Sequence, residues 1–216
     1  DILGPELVIP KLLEFASPVE GLSVLDAGCG EGRISRKLHD LGADVMGIDV
    51  SQNLIDMAVD RRDGRDIEYR CLDLSDPPSL DLVGAFDLVV SNLAIDDAPE
   101  YVGFIGTICE MASERSRIVL SKNNSYSAVV RGKVENYFDT GKSVEYAGMA
   151  SVGVKVFYYH RTFEDYINEF SKHGFFLSRM SDLNPNGISG IKNDNKRELI
   201  ARYRRFPFLM VLEFTR

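Results

Sequence analysis

The sequence predicts an open α/β fold on a doubly wound, mostly parallel, seven-stranded sheet. Three observations carry that expectation. Short β-branched segments alternate with helix-length amphipathic ones from residue 23 to residue 121. A turn with three glycines in five positions, Gly28, Gly30 and Gly32, joins the first strand to the following helix in VLDAGCGEGRISRKL (24–38). The segment FDLVVSNLA (86–94) has the near-continuous apolar character of a strand buried on both sheet faces.

The elements follow in order. SVLDA (23–27) reads as the first strand and 31–41 as a helix ending near Gly42. DVMGIDV (44–50) is the second strand, and Ser51 then stands where an N-cap belongs, before QNLIDMAVDRR. Leu54, Ile55, Ala58 and Val59 of that helix share one face. IEYRCLD (67–73) is the third strand and FDLVVSNLA the fourth. EYVGFIGTICEMA is helical after Pro99, and SRIVLS (116–121) is the fifth strand. This βαβα order implies right-handed crossovers. Periodicity breaks from 122 to 160, where glycines and tyrosines crowd, and resumes with TFEDYINEFSKHG, a helix capped by Thr162 and stopped by Gly174. FFLSRMSDL and FPFLMVLEFT are the last two strands; the loop NPNGISGIKNDNK lies between them, with room for a helical turn before Pro207.

The chain's 216 residues, 44% hydrophobic and 27% charged, fit one domain, 1–216, with 122–160 as a cap inserted between the fifth strand and the last helix. A net charge of −8 argues against a nucleic-acid partner, because phosphate neutralisation by Lys and Arg supplies most of that affinity. Cys29, Cys71 and Cys109 form no CxxC pair, and His39, His160 and His173 have no zinc spacing, so no metal is expected. Scattered thiols suit a reducing, cytoplasmic setting. No run approaches the ~20 apolar residues that cross a bilayer, and no signal-peptide pattern stands out, so no membrane partner is expected.

In open α/β sheets the first loop floors a ligand site at the carboxyl ends of the strands. A dinucleotide loop needs G-x-G-x-x-G/A, and here the sixth position from Gly28 is Arg33, too long for close helix–strand packing. A Walker loop fails too, since no Gly-Lys-Ser/Thr follows. What stands here is D-x-G-x-G-x-G, led by Asp26. An acid there repels pyrophosphate and suits a ligand with an ammonium group.

These residues resemble motif one of the class I S-adenosylmethionine-dependent methyltransferases. The resemblance rests on specific motifs over about 20–121 and is looser over 156–216. It implies a Rossmann-like methyltransferase fold, S-adenosylmethionine as cofactor and S-adenosylhomocysteine as product. It also implies that Asp49 in GIDVS, with Val50 beside it, accepts the ribose hydroxyls by charge-assisted bonds. Asp73 in CLDLSD would accept from the adenine amino group, with the Leu74 backbone facing the ring. SNLAIDDAPE resembles motif four, which makes Asn92 and Leu93 candidates for the methionine part. Taken singly, Asp49 also reads as a helix-capping acid and Asp73 as a solvated loop residue; their joint placement at successive strand ends favours the cofactor.

Many small-molecule members carry a His near position 96, where this chain has AIDDAP. Asp96 or Asp97 then orients an amine or accepts a proton; the alternative is that one caps the helix near Pro99. SNLA departs from the N/D-P-P-Y/F of DNA and protein amide N-methyltransferases. VFYYHRTFEDYINEFSKHGF and VENYFDTG resemble the end and the cap of bacterial small-molecule members. That implies an acceptor pocket walled by Tyr137, Phe138, Tyr158 and Tyr159, with His160 or Arg161 reaching in, and His160 has the right unperturbed pKa for a base. The alternative is that His160 and Arg161 tie the cap to the domain through backbone carbonyls, and that the tyrosines are core. His39 and His173 read as surface residues.

The expectation is therefore methyl transfer to a small molecule of secondary metabolism, to oxygen first, then nitrogen or carbon, of an aromatic or polyfunctional metabolite. Alternatives are a nicotinamide-dependent oxidoreductase, against which Arg33 and the lack of a Tyr-x-x-x-Lys argue, and a non-catalytic cofactor-binding module. A tRNA or rRNA acceptor sits poorly with the charge balance.

Overall fold

The structure, a computed structural model, describes residues 7–145, 157–185, 197, 200–201 and 204–216. Its main sheet is built from β1 (Ser23–Ala27), β2 (Asp44–Asp49), β3 (Ile67–Cys71), β4 (Phe86–Asn92), β5 (Ala112–Asn123), β8 (Phe176–Asp182) and β9 (Leu209–Thr215). The order is β3-β2-β1-β4-β5-β9-β8. The first five strands pair in parallel, and β9 runs antiparallel to β5 and β8. The expected mostly parallel, seven-stranded sheet is present. Strand order reverses between β1 and β4, with Asp26 opposite Val90 on one side and Gly47 on the other. That reversal opens a crevice at the carboxyl ends.

Both faces are covered, which is why β4 is apolar from Leu88 to Val90. On one face α1 (Ile9–Ala16) and α2 (Arg33–Asp40) pack Leu12, Phe15, Ile34 and Leu38 against Val24, Leu88 and Val119. On the other, α4 (Tyr101–Met111) and α6 (Phe163–Lys172) pack Phe104, Ile108 and Phe170 against Leu25, Val89 and Leu120. α3 (Gln52–Asp60) lies over β2 and β3. Helix α1 has no counterpart in the sequence reading. Arg117 and Arg179 both donate to the carbonyl of Phe15, at 2.6 and 3.1 Å, and so fasten its carboxyl end to the sheet.

Helix α6 begins with the expected cap: Asp165 N donates to Thr162 Oγ1 at 3.1 Å, and Thr162 N donates to the Asp165 carboxylate at 2.8 Å. Ser51 holds the N-cap position of α3 but makes no side-chain cap bond; the Asp49 carboxylate instead accepts from Ser51 N at 2.9 Å. Neither Asp96 nor Asp97 caps α4, whose N-cap is Glu100, without a side-chain bond. Several boundaries move. β3 ends at Cys71 rather than Asp73, β4 at Asn92 rather than Ala94, and β9 starts at Leu209. β5 begins directly after α4 and continues through Lys122 and Asn123, which the sequence reading gave to the insertion. The insertion holds a short helix, α5 (Ser127–Val130), and a two-stranded antiparallel sheet of β6 (Ser143–Glu145) and β7 (Phe157–Tyr159). Much of the loop before β9 and of the helical turn expected there lies outside the described residues.

Candidate functional site

β1 delivers Asp26 to the crevice, and the chain turns through residues 28–32 into α2. Gly28, Gly30 and Gly32 all have positive φ, at 74°, 55° and 76°. Their surroundings differ. A Cβ on Gly28 would overlap the Cβ of Ala94, and one on Gly32 would overlap the Tyr69 hydroxyl. A Cβ on Gly30 would meet nothing within 4 Å. The outer glycines thus let the loop pack down, and the middle one keeps space open. A cavity of about 330 Å³ lies there, walled by Ile9, Asp26, Gly30, Arg33, Asn92 and Leu93 among others.

Asp26 is fully buried. One carboxylate oxygen accepts from Ser35 Oγ at 2.5 Å, and the other, Oδ1, has no partner. Burial pushes its pKa up to about 6, against the lowering effect of the Ser35 bonds, and the Asp49 charge adds to the rise. Such a carboxylate suits a cationic ligand group entering from the cavity. Asp49, half-buried at the end of β2, holds the loop: Gly30 N donates to its Oδ2 at 2.8 Å. Each of its oxygens keeps a further lone pair for a hydroxyl. Val50 stands beside it, 66% exposed. Asp73 is exposed beyond β3 and accepts from Ser75 N at 2.8 Å, while the Leu74 side chain is buried in the core. Asp73 and Leu74 are not part of the cavity wall.

At the end of β4, the Asn92 carbonyl oxygen Oδ1 accepts from Ser121 Oγ at 2.9 Å. Leu93 has φ 58°, a left-handed conformation unusual for a leucine, and its N–H donates to Ser121 at 3.1 Å. Backbone strain of this kind collects at functional sites. Asp96 is buried and fully engaged: Tyr166 OH donates at 2.7 Å, and Asn123 donates from N at 2.6 Å and Nδ2 at 2.9 Å. Asp97 is exposed to solvent on one side. Withdrawal of water by the protein around it, and then the Asp96 charge, push its pKa up to about 7.

The cap grips this loop. Tyr159 N donates to the Asp96 carbonyl at 2.8 Å, and Arg161 Nη2 donates to the carbonyls of Ala98 and Pro99 at 2.7 and 2.8 Å. His160 is buried, and its Nε2 lies 2.8 Å from the Tyr137 carbonyl, to which it must donate. Both side chains are thus bonded to backbone carbonyls, the tying arrangement, and neither lines the cavity. Tyr137 stacks on Tyr126 with ring centroids 4.8 Å apart and meets Phe138 edge-on, and Phe138 is 74% exposed. Tyr158 packs in the cap's own small core with Ala128, Val134 and Val144. So the structure gathers Asp26, Gly28, Gly30, Asn92 and Leu93 around one cavity with Asp49 at its loop, and sets the cap aromatics apart from it.

Sequence reasoning missed Ile9, Ser35, Ser121, Lys122, Asn123 and Tyr166. Ser35 had a signal, one helical turn into the helix after the glycine loop. Lys122 had none, because a lysine just after SRIVLS reads as the start of the inserted segment. Among the described residues no group of His, Cys, Asp and Glu could hold a metal ion, and no helix is long and apolar enough to cross a membrane.

The family described as a methyltransferase domain matches residues 18–165. A ubiquinone biosynthesis O-methyltransferase of Paramagnetospirillum magneticum is 37% identical over 93 residues, which is 41% of this chain and 35% of that protein. A Dictyostelium discoideum protein named as an 18S rRNA (guanine-N7)-methyltransferase is 35% identical over 85 residues, 39% of this chain and 29% of its own length. The chain thus spans about a third of the length of these curated relatives. An S-adenosylmethionine-dependent methyltransferase structure from Mesorhizobium loti has 25% identity and a TM-score of 0.75, covering 96% of each chain.

Proposed function

This chain belongs to the methyltransferase-domain family and has S-adenosylmethionine as its cofactor, and from that premise we propose that it methylates a small molecule. The acceptor atom is an oxygen before a nitrogen or carbon, on an aromatic or polyfunctional metabolite. The observation that carries the reading is the unpartnered, buried Asp26 Oδ1 in the wall of the cavity that Gly30 keeps open. That donor set fits the cofactor: a carboxylate for the ammonium end, Asp49 for paired hydroxyls, and exposed Val50 as an apolar contact for a flat base.

When bound, S-adenosylmethionine supplies an electrophilic methyl on a sulfonium. The chain's own part is placement and water exclusion. Asn92 and strained Leu93 fix the β4 end against Ser121, beside the methionine portion. Asp73 and the Leu74 backbone serve the adenine end. Asp97, whose pKa is pushed up to about 7, is the base assigned here to a hydroxyl acceptor, since His160 already donates to Tyr137. Of the cap residues, Tyr137, Phe138 and Tyr159 are the candidates for the acceptor side, Tyr158 being part of the cap's own core and Arg161 tied to the Ala98 and Pro99 carbonyls. The charge balance supports a metabolite-directed role over the nucleic-acid role that the rRNA-directed relative's name raises, and the free cysteines suit a cytoplasmic setting.

Calorimetric titration with S-adenosylhomocysteine tests the premise. Micromolar binding is expected, and absence of binding at high micromolar concentration refutes it. Incubation with methyl-labelled cofactor and a metabolite extract should then label a small-molecule fraction; label in RNA alone would overturn the acceptor class.

A further inference from the structure

Arg33 stands at the sixth position of the glycine loop, where a dinucleotide fold needs a small residue. It is the first residue of α2 and lines the same cavity as Asp26, Gly30 and Glu31. A cation there goes against the helix, whose N-terminal end is itself positive, and α2 has no acidic residue in its first turn. The first N–H groups of a helix also have no partner within it. This end of the cavity is set up for an anion.

Glu31, in the loop before α2, is the acid at hand, and it is shared. Its Oε1 accepts from Arg33 Nε at 3.2 Å and from Nη2 at 3.1 Å, while Oε2 pairs with Arg61 at the end of α3. Arg36 donates to the Glu31 carbonyl at 2.7 Å and leaves the carboxylate alone. Among the described residues Arg33 Nη1 has no acceptor, and half of its side chain is exposed. Arg33 can thus exchange Glu31 for another carboxylate without leaving Glu31 unpaired, because Arg61 keeps the second oxygen.

The opposite sign faces the same space. Asp26 is fully buried, its Oδ1 has no partner, and no ion pair joins it to Arg33 among the described residues. Asp49, the next carboxylate, is engaged by Gly30 N and Ser51 N. An open acid and an available guanidinium edge in one cavity wall match the two charged ends of an α-amino acid. We infer that Arg33 receives the carboxylate of the cofactor's amino-acid end while Asp26 takes its ammonium, which makes Arg33 a specificity-determining residue. This rests on the S-adenosylmethionine reading and adds to it a demand for an intact amino acid.

The test is calorimetry of the full chain with S-adenosylhomocysteine and, separately, with its decarboxylated analogue, which keeps the ammonium. The natural chain should bind the complete ligand at least about tenfold more tightly. In Arg33→Gln that preference should collapse towards one, through weaker binding of S-adenosylhomocysteine and unchanged binding of the analogue. Equal binding of the two by the natural chain, a preference kept in Arg33→Gln, or an equal loss for both ligands overturns the inference; the last would mean that Arg33 merely holds the loop. Should the variant fail to fold, the Arg33 Nε–H resonance of the natural chain decides instead. A shift with S-adenosylhomocysteine and none with the analogue supports the assignment, and any other pattern refutes it. If the natural chain binds neither ligand, the cofactor reading itself fails, an outcome distinct from binding that ignores the carboxylate.

Discussion

Gly30 donates its backbone N–H to the Asp49 carboxylate at 2.8 Å, so the acid that ends β2 also holds the floor of the loop that follows β1. Asp49 thereby serves two functions at once. Its oxygens order the loop and the start of α3, and their remaining lone pairs face the place proposed for the ribose. Asp49→Ala should lower S-adenosylhomocysteine affinity by about 1.5–3 kcal/mol for each charged bond lost, and global stability by about 1–3 kcal/mol for the unsatisfied N–H groups. Calorimetry and urea unfolding read the two effects separately. An unchanged affinity would remove Asp49 from the ribose.

Two neighbouring glycines should fail in different ways. A methyl on Gly28 overlaps Ala94, whose backbone belongs to the strained β4 turn, so Gly28→Ala combines overpacking with left-handed strain and should cost about 2–4 kcal/mol of stability. Gly30→Ala meets no protein atom and should cost only the strain, about 1–2 kcal/mol. Its methyl would stand in the open space beside the cavity, and cofactor affinity should fall at least tenfold. If Gly30→Ala bound cofactor normally, the cavity would not be the cofactor site.

Asp26 should show opposite effects on stability and binding. Its folded pKa of about 6 lies above the usual 3.8, so the folded state favours the neutral acid. The stability this contributes is complete below pH 3.8 and is lost as pH rises through 6, a difference of about 3 kcal/mol. Asp26→Asn keeps an oxygen for Ser35 and removes the buried charge. It should stabilise the free protein by about 1–3 kcal/mol at pH 8, with the gain vanishing towards pH 4. Cofactor binding needs the charge, so affinity should weaken about tenfold per pH unit below about 6 in the natural chain and lose this dependence in the variant. Parallel denaturation and binding series at several pH values test both signs.

Those residues were legible in the sequence for a physical reason. Asp26, the glycines and Asp49 sit at strand ends, where the local alternation of strand and helix fixes their place, and their chemistry needs no distant partner to be recognised. What was not legible depends on contacts between remote segments. Asp96 and Asp97 read alike, as proton acceptor or helix cap, because the sequence shows only their neighbours, whereas the partners of Asp96, Asn123 and Tyr166, come from β5 and α6. Lys122 looked like the first residue of a loop, since a strand that enters a buried region with a lysine breaks the usual apolar pattern. Helix α1 was missed because its role lies in Arg117 and Arg179, far away in sequence, which hold its carboxyl end. The cap aromatics were recognisable as a group, but only the fold could separate Tyr158, in the cap's core, from exposed Phe138.

Asp97 and His160 were both candidate bases, and their surroundings predict different pH behaviour. A base must be ionised or neutral enough to take a proton, so an Asp97 with a pKa of about 7 gives a rate that falls about tenfold per pH unit below neutrality. Asp97→Asn should flatten that limb and lower kcat by roughly a hundredfold or more, the usual contribution of a positioned base, with little change in cofactor affinity. His160 donates to the Tyr137 carbonyl from a buried site and has no free nitrogen at the cavity. His160→Asn should therefore lower stability by about 1–3 kcal/mol through the orphaned carbonyl while leaving the acid limb near pH 7 in place. Rate profiles from pH 5 to 9 on both variants, with any acceptor the extract assay labels, distinguish the two. Loss of the limb in His160→Asn, with Asp97→Asn unaffected, would transfer the proton to the histidine and require Tyr137 to release it during turnover.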